Sequence, residues 1–354
     1  MFEWFSRTGN AGSRTHGYGA DAKQAVAHAR KQVAAVVDAE QDEVVFVSGA
    51  TEANNLAILG IARSAEPGRR HVITTKLEHK AVLEPMEALV DLGFEVTLVD
   101  LTPGGWVDPA QIGAALRPDT LLVSVMHVNN ETGVLQPLGE ISQLLLGHDA
   151  YFHVDAAQGF GKRLADLKNP RLDLISVSSH KIYGPQGVGA LIARRRGYEP
   201  VPLSPLAVGG GQEYGLRPGT LPVALIAGFG LAAELAGRDA ERRAASCLVQ
   251  KEQLLKALAP LGIRLHGDQG RVLPHVLNFS IEGLDGEAAI VALKDLIAIS
   301  NGSACTSQSY SPSHVLLGMG LPEDAVEGAL RLSWCHMTED VDWAGVAERI
   351  AQLR

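Results

Sequence analysis

Two side chains of this sequence could form covalent bonds with a substrate, and they lie far apart in it: Lys181 and Cys305. Lys181 follows the apolar, β-branched run Leu172-Asp-Leu-Ile-Ser-Val177, which predicts a buried strand, and Gly184-Pro185 ends the stretch. A lysine at the carboxyl end of a buried strand lies where open α/β sheets hold their ligands. Partial desolvation there favours the neutral amine that can form a Schiff base. A lysine snorkelling from a strand end would give the same local pattern. Cys305 sits among small and hydroxyl residues in Asn301-Gly-Ser-Ala-Cys-Thr-Ser307, with the polar Gln-Ser-Tyr-Ser-Pro-Ser313 after it. That composition predicts an exposed loop, where a thiol is reactive, or equally an incidental loop cysteine. Cys247 falls in a helical segment and Cys335 after an apolar strand, and both are expected in the core.

Further polar residues collect at the ends of other strands. His79 follows the strand expected at 71–75, Asn129 and Asn130 the one at 121–127, and Asp155 and Gln158 the one at 150–154. Taken singly, Asp155 reads as a helix cap and His79 as a loop histidine. Four strands presenting such residues on one rim read as a site. Ser48-Gly-Ala-Thr-Glu52 joins the strand 44–47 to a helix over 53–63, a turn that offers free N–H groups to an anion or simply caps the helix. To position these groups the chain must alternate strand and helix. Strands are expected at 71–75, 94–99, 121–127, 150–154, 172–177 and 187–193, with helices at 80–92, 109–116 and 138–146. Such alternation with continuously apolar strands predicts a largely parallel sheet covered on both faces. Helical spacing over 21–39 adds one more helix, and residues 1–10 resemble the tail of another. Beyond about residue 230 the pattern becomes smaller α+β: a helix over 232–258, strands at 276–281, 297–300 and 329–333, and helices at 286–296 and 341–353.

Composition narrows the function. The 354 residues carry a net charge of −9, which disfavours a nucleic-acid surface. No GxGxxG follows the first strand, there is no P-loop, and no cysteines sit at metal-ligand spacing. Three cysteines in so long a chain are no disulfide framework, which points to a reducing, cytoplasmic setting. The first residues lack a signal-peptide pattern, and the longest uncharged run, Leu221–Ala233, is too short to span a bilayer and reads as a buried helix.

With these residues assembled, the chain resembles the cysteine desulfurases of the NifS/IscS type, which depend on pyridoxal 5'-phosphate (PLP) and sit in the class V aminotransferase-like group. The resemblance runs from Asn10 to the C-terminus. It rests on Ser48-Gly-Ala-Thr-Glu-Ala-Asn-Asn55, Glu78-His-Lys-Ala-Val82, Met126-His-Val-Asn-Asn-Glu-Thr-Gly133 and His153-Val-Asp-Ala-Ala-Gln158. Ser178-Ser-His-Lys-Ile-Tyr-Gly-Pro185, Arg217-Pro-Gly-Thr220 and Gly302-Ser-Ala-Cys-Thr-Ser307 complete the set. It implies the fold type I α/β architecture of PLP-dependent transferases. The large domain, over 11–230, would hold a mostly parallel seven-stranded sheet, and a small α+β domain would comprise 1–10 and 231–354. It also implies roles. Lys181 would carry PLP and move the substrate Cα proton, Asp155 would pair with the pyridinium nitrogen, Gln158 would bond the ring hydroxyl, and His79 would stack on the ring and transfer protons. Ala50, Thr51, Ser178 and His180 would hold the phosphate, and Thr220 that of the other subunit in a homodimer. Asn130 and Arg331 would clamp the substrate carboxylate. Cys305 would take sulfur from L-cysteine as a persulfide, release alanine, and pass the sulfur to acceptor proteins serving iron–sulfur clusters, tRNA or DNA.

Departures from the family pattern matter. The initial strand and Ala-Thr-Thr-Pro-like loop of the family have no counterpart here, so the sequence is expected to lack an N-terminal segment. The loop Asn10-Ala-Gly-Ser-Arg-Thr-His16 is similar to desulfurases associated with DNA phosphorothioation, in which a partner rather than this acidic chain would touch DNA. Val208 and Tyr214 stand where His and Arg are usual. A selenocysteine lyase or other PLP lyase is the alternative within enzymes, and a non-catalytic sulfur-transfer scaffold the alternative outside them. No metal and no membrane contact are expected.

Overall fold

Strands with no polar alternation must be covered on both faces, and the chain folds accordingly. The computed structural model describes residues 1–353 apart from 8, 14 and 302–311. Seven strands form the main sheet: β1 (Val44–Val47), β2 (His71–Thr75), β3 (Glu95–Val99), β4 (Thr120–Ser124), β5 (Tyr151–Asp155), β6 (Leu174–Ser178) and β7 (Gly189–Ala193). Their order is β1-β7-β6-β5-β4-β2-β3. β3, β2, β4, β5 and β6 run parallel, β7 runs antiparallel to β6, and β1 antiparallel to β7. Two reversals restore the original direction, so β1 points the same way as the parallel set. Every residue of β1, β2, β4 and β6 is buried, whereas β3 at the edge is half exposed.

Helices cover both faces. In chain order they are α1 (Phe2–Phe5), α2 (Gly17–Val36), α3 (Ala50–Arg63), α4 (Lys80–Asp91), α5 (Pro109–Ala115), α6 (Leu138–Leu144) and α7 (Val223–Leu258). Ile58, Ile61, Met86 and Leu89 of α3 and α4 pack with Val72 and Leu122 on one face of the sheet. Val26, Val33, Ile226 and Phe229 of α2 and α7 pack with Phe46, Val177 and Ile192 on the other. Helix α7 is 36 residues long and begins at Val223, because the apolar run 221–233 and the amphipathic segment after it form one element.

A second sheet, antiparallel and ordered β10-β9-β8, is built from β8 (Arg264–Leu265), β9 (Val276–Ser280) and β10 (Leu330–Ser333). Helices α8 (Gly286–Leu293) and α11 (Trp343–Ala351) accompany it, whereas α9 (His314–Gly318) and α10 (Glu323–Glu327) send Val315, Leu316 and Val326 into the core of the main sheet. Phe279, Leu293, Leu332 and Ile350 close its core together with Leu254 and Leu258 from the end of α7. The strand expected at 297–300 does not form. β10 already pairs with β9, and only Ser300 reaches its other side, as an isolated bridge to Arg331. β8, two residues long, has no periodicity for a sequence to display.

Where β7 enters the sheet, Gly189 lies opposite Val47 on one side and Ser178 on the other. A Cβ there would stand 2.5 Å from the Val177 carbonyl oxygen and 2.7 Å from the Cα of Gly49, which heads α3. Gly189→Ala should therefore destabilise the protein by about 1–3 kcal/mol, as overpacking does, and displace the turn before α3. Gly139, on α6 with open space around its Cα, is the control: Gly139→Ala should be neutral or stabilising by up to about 1 kcal/mol. Denaturant midpoints of the two variants measure the difference.

Candidate active site

The carboxyl ends of β1, β2, β4, β5 and β6 share one rim, and the start of β7 meets them there. What each strand delivers just past its end lines a cavity of about 550 Å³. β1 leads into Ser48 and Gly49, β2 into His79, β4 into Met126 and Asn130, β5 ends on Asp155 ahead of Gln158, and β6 ends on Ser178 ahead of His180 and Lys181. Arg331 enters from β10.

Asp155 is almost wholly buried. One oxygen accepts from the Ala157 N–H at 3.0 Å and the other from Asn54 Nδ2 at 2.7 Å. Burial pushes this carboxyl above its ordinary range, while those two donors and the nearby His79 and Lys181 favour its charge. Asn54 lies one turn into α3 from Ala50, so the same helix face serves the rim and Asp155. Its Oδ1 is buried without a hydrogen-bond partner among the described residues. Helix α3 starts behind Gly49, which supplies no side-chain cap, so the N–H groups at the helix head are left to the cavity or to a ligand.

His79 is the N-cap of α4 and its Nδ1 accepts from the Ala81 N–H at 3.0 Å, which places the proton of the neutral ring on Nε2. Burial lowers its pKa, so the neutral ring is favoured. Burial and the adjacent Lys181 act in the same direction on His180, whose Nδ1 lies 2.9 Å from Ser178 Oγ. Lys181 itself stands in a single 3-10 turn, Ser179–Ile182, directly after β6. Arg331 Nη1 donates to the Asn130 carbonyl at 3.1 Å, so these two residues are held together across the two sheets.

The structure thus gathers Lys181, Asp155, His79, Gln158, Ala50, Thr51, Ser178, His180, Asn130 and Arg331 in one cavity. Thr220 is exposed and lies outside its lining. Cys305 lies outside the described residues. Asn129 turns away from the rim: its Oδ1 accepts from the backbone of Glu131 and Thr132, each at 2.9 Å, and shapes the turn instead. Cys335, expected in the core, is half-buried and lines an adjoining cavity, because β10 ends at Ser333 beside the cleft. Sequence reasoning missed Asn54 and Glu78 as parts of the site, although both lie within motifs it singled out. Helical spacing from Ala50 would have pointed to Asn54. Nothing in the spacing marks Glu78, whose position depends on β4 passing beside β2.

The class-V aminotransferase family matches residues 3–343 of the chain. The cysteine desulfurase IscS of Vibrio atlanticus is 45% identical over 349 residues, 98% of this chain and 84% of that protein. A cysteine desulfurase of Rattus norvegicus is 43% identical over 95% of this chain and 74% of its own. Among solved structures, DndA from Streptomyces lividans is 49% identical with a TM-score of 0.84, covering 94% of each chain. A NifS-like protein, 33% identical, superposes with a TM-score of 0.90 over 99% of this chain and 92% of its own.

Glu78 sets a pH dependence. It is fully buried, accepts from Thr75 Oγ1 and from the Met126 N–H at 2.8 Å each, and its Oε2 has no partner among the described residues. Burial lifts its pKa from 4.5 to about 8. Between those values the folded chain holds a proton that the unfolded chain has released. Glu78 therefore subtracts stability as pH rises through that window, by up to about 1.4 kcal/mol per pH unit. Glu78→Gln should flatten the decline of unfolding free energy between pH 5 and 8. Denaturant titrations across that range check it, and an unchanged slope would count against a protonated Glu78.

Proposed function

We propose a division of labour for the cavity residues from one premise: the chain belongs to the class-V aminotransferase family and is a PLP-dependent cysteine desulfurase. The observation that carries the proposal is Lys181 and the buried Asp155 lining one cavity beside the uncapped head of α3. These residues fit PLP. Asp155 is a buried carboxylate held by two neutral donors, an arrangement suited to a protonated ring nitrogen. The head of α3, with Thr51, Ser178 and His180, suits a phosphate, and the Lys181 amine suits an aldehyde. When bound, PLP supplies an electron sink for charge developing at the substrate Cα.

The chain's own groups do the rest. Arg331 and Asn130 bind the carboxylate of L-cysteine, with the guanidinium oriented by its bond to the Asn130 carbonyl. Lys181 Nζ accepts the Cα proton and returns it. Gln158 would bond the ring hydroxyl, and His79, neutral and protonated at Nε2, would cover the ring and relay protons. Cys305 attacks the substrate sulfur: the carbon–sulfur bond breaks, a sulfur–sulfur bond forms, and Cβ gains a proton. L-cysteine and the Cys305 thiol thereby become L-alanine and a Cys305 persulfide.

Residues 11–230 form the large domain, and 1–10 with 231–354 the small one. Thr220 completes the phosphate site of a second copy, so the working form is a homodimer. The exposed, apolar Val208 and Tyr214 near Thr220 support an interface there. The persulfide goes to an acceptor protein in the cytoplasm. Similarity to DndA, together with the loop 10–16, favours the DNA-phosphorothioation branch over general iron–sulfur supply. Among the described residues no helix is long and apolar enough to cross a membrane.

Alanine formation from L-cysteine, with PLP and a reductant present, tests this reading. The chain should turn over many equivalents. Lys181→Ala should lose both the visible absorbance of bound PLP and at least a thousandfold in rate, as expected when a covalent catalytic group is removed. Cys305→Ala should keep the absorbance and form no protein persulfide. Persulfide in that variant at the parent level would refute the nucleophile.

A further inference from the structure

The pair assigned above to the substrate carboxylate, Asn130 and Arg331, meets at a joint between the two sheets. Arg331 on β10 stands directly opposite Asn278 on β9, so their side chains share one face of the small sheet. Two consecutive carbonyls on the rim of the main sheet each take a bond from that pair. Arg331 Nη1 donates to the Asn130 carbonyl at 3.1 Å, and Asn278 Nδ2 donates to the Glu131 carbonyl at 3.2 Å. Asn278 is held in turn, because its Oδ1 accepts from His266 Nδ1 at 2.7 Å.

The Glu131 side chain reaches a different element. It is buried, and its carboxylate accepts from Ser313 Oγ. Ser313 is the N-cap of α9, its Oγ accepting from the Leu316 N–H at 3.1 Å, and Leu316 lies in the core of the main sheet. His314, next in the chain, donates from Nε2 to the Glu78 carbonyl at 3.0 Å, so the same end of α9 holds the residue before His79. Glu131 is thus bonded through its carbonyl to the small sheet and through its carboxylate to a helix seated in the main one. It lines neither cavity of the cleft, so its influence on a ligand must pass through its neighbours. Asn130 is only half-buried and has little packing of its own to fix it. A site that grips a carboxylate from two sides tolerates displacements of only about 0.5 Å.

We propose that Glu131 is a positioning residue for the substrate carboxylate: its bond to Ser313 fixes the turn that presents Asn130 to Arg331. The inference rests on the reading in which Asn130 and Arg331 bind that carboxylate. Glu131 itself moves neither protons nor sulfur. Breaking its bond should weaken ligands that carry a carboxylate and spare those that do not.

L-Alanine and ethylamine differ by that group alone. The test titrates each into the PLP-loaded enzyme while the absorbance of bound PLP is followed. Glu131→Ala and Ser313→Ala should each weaken L-alanine roughly tenfold, the loss expected for one hydrogen bond to a charged group, and leave ethylamine within about twofold. Glu131→Gln keeps an acceptor for Ser313 and should recover most of the affinity for L-alanine. The double variant should be no weaker than either single one, since both remove the same bond. If Glu131→Ala does not fold, Ser313→Ala decides the comparison. Equal weakening of both ligands, as general loosening of the fold would give, overturns the proposal, and so does unchanged binding of L-alanine. Equal affinity of the two ligands for the parent enzyme would overturn the carboxylate assignment and the proposal with it. A parent that shows the contrast yet forms no alanine from L-cysteine would lose the desulfurase reading and keep the positioning role.

Discussion

A carboxylate taken out of water at the end of a central strand governs this structure. Asp155 cannot be stable there without donors, and the two among the described residues come from different parts of the chain: the backbone two residues onward and Asn54 on α3. That second bond ties the helix covering one face of the sheet to the strand at its centre. It also sets the head of α3 and Asp155 in one rigid body. In the proposed reading, the phosphate and the pyridine ring of a bound cofactor would be referenced to each other through a 14-residue helix rather than through loops.

The main sheet was legible because most of its strands are continuous apolar runs, and His79, Asp155 and Lys181 were legible because polar residues at the ends of such runs have few structural excuses. Edges and pairings were harder. Ile297–Ser300 has strand-like composition, yet no neighbour offers it a continuous ladder. β8 exists only because β9 has a free side. Asn129 and Asn130 are adjacent and chemically identical, and only the turn geometry decides that one caps the backbone while the other meets Arg331. Cys335 was misplaced for a related reason: a cysteine after an apolar strand reads as core unless it is known that the strand stops at the rim of a cleft.

Charge shows the same contrast between sum and placement. The chain carries −9 overall, yet its cleft is lined by Lys181, Lys162 and Arg331, with Asp155 its only lining carboxylate among the described residues. The carboxylate of an amino acid therefore meets a local field opposite to the protein's global one, which orients it on the rim while the outer surface repels polyanions.

Helix α7 has a mechanical consequence. At about 1.5 Å per residue it extends roughly 54 Å, with Ile226 and Phe229 anchored in the core of the main sheet and Leu254 and Leu258 in that of the small one. A continuous helix seated in two cores acts as a strut. Swinging the small sheet as a hinged lid would require bending it or extracting one end, and both cost packing energy. The two sheets are thereby joined as one frame, and access to the cavity is left to short segments at its rim.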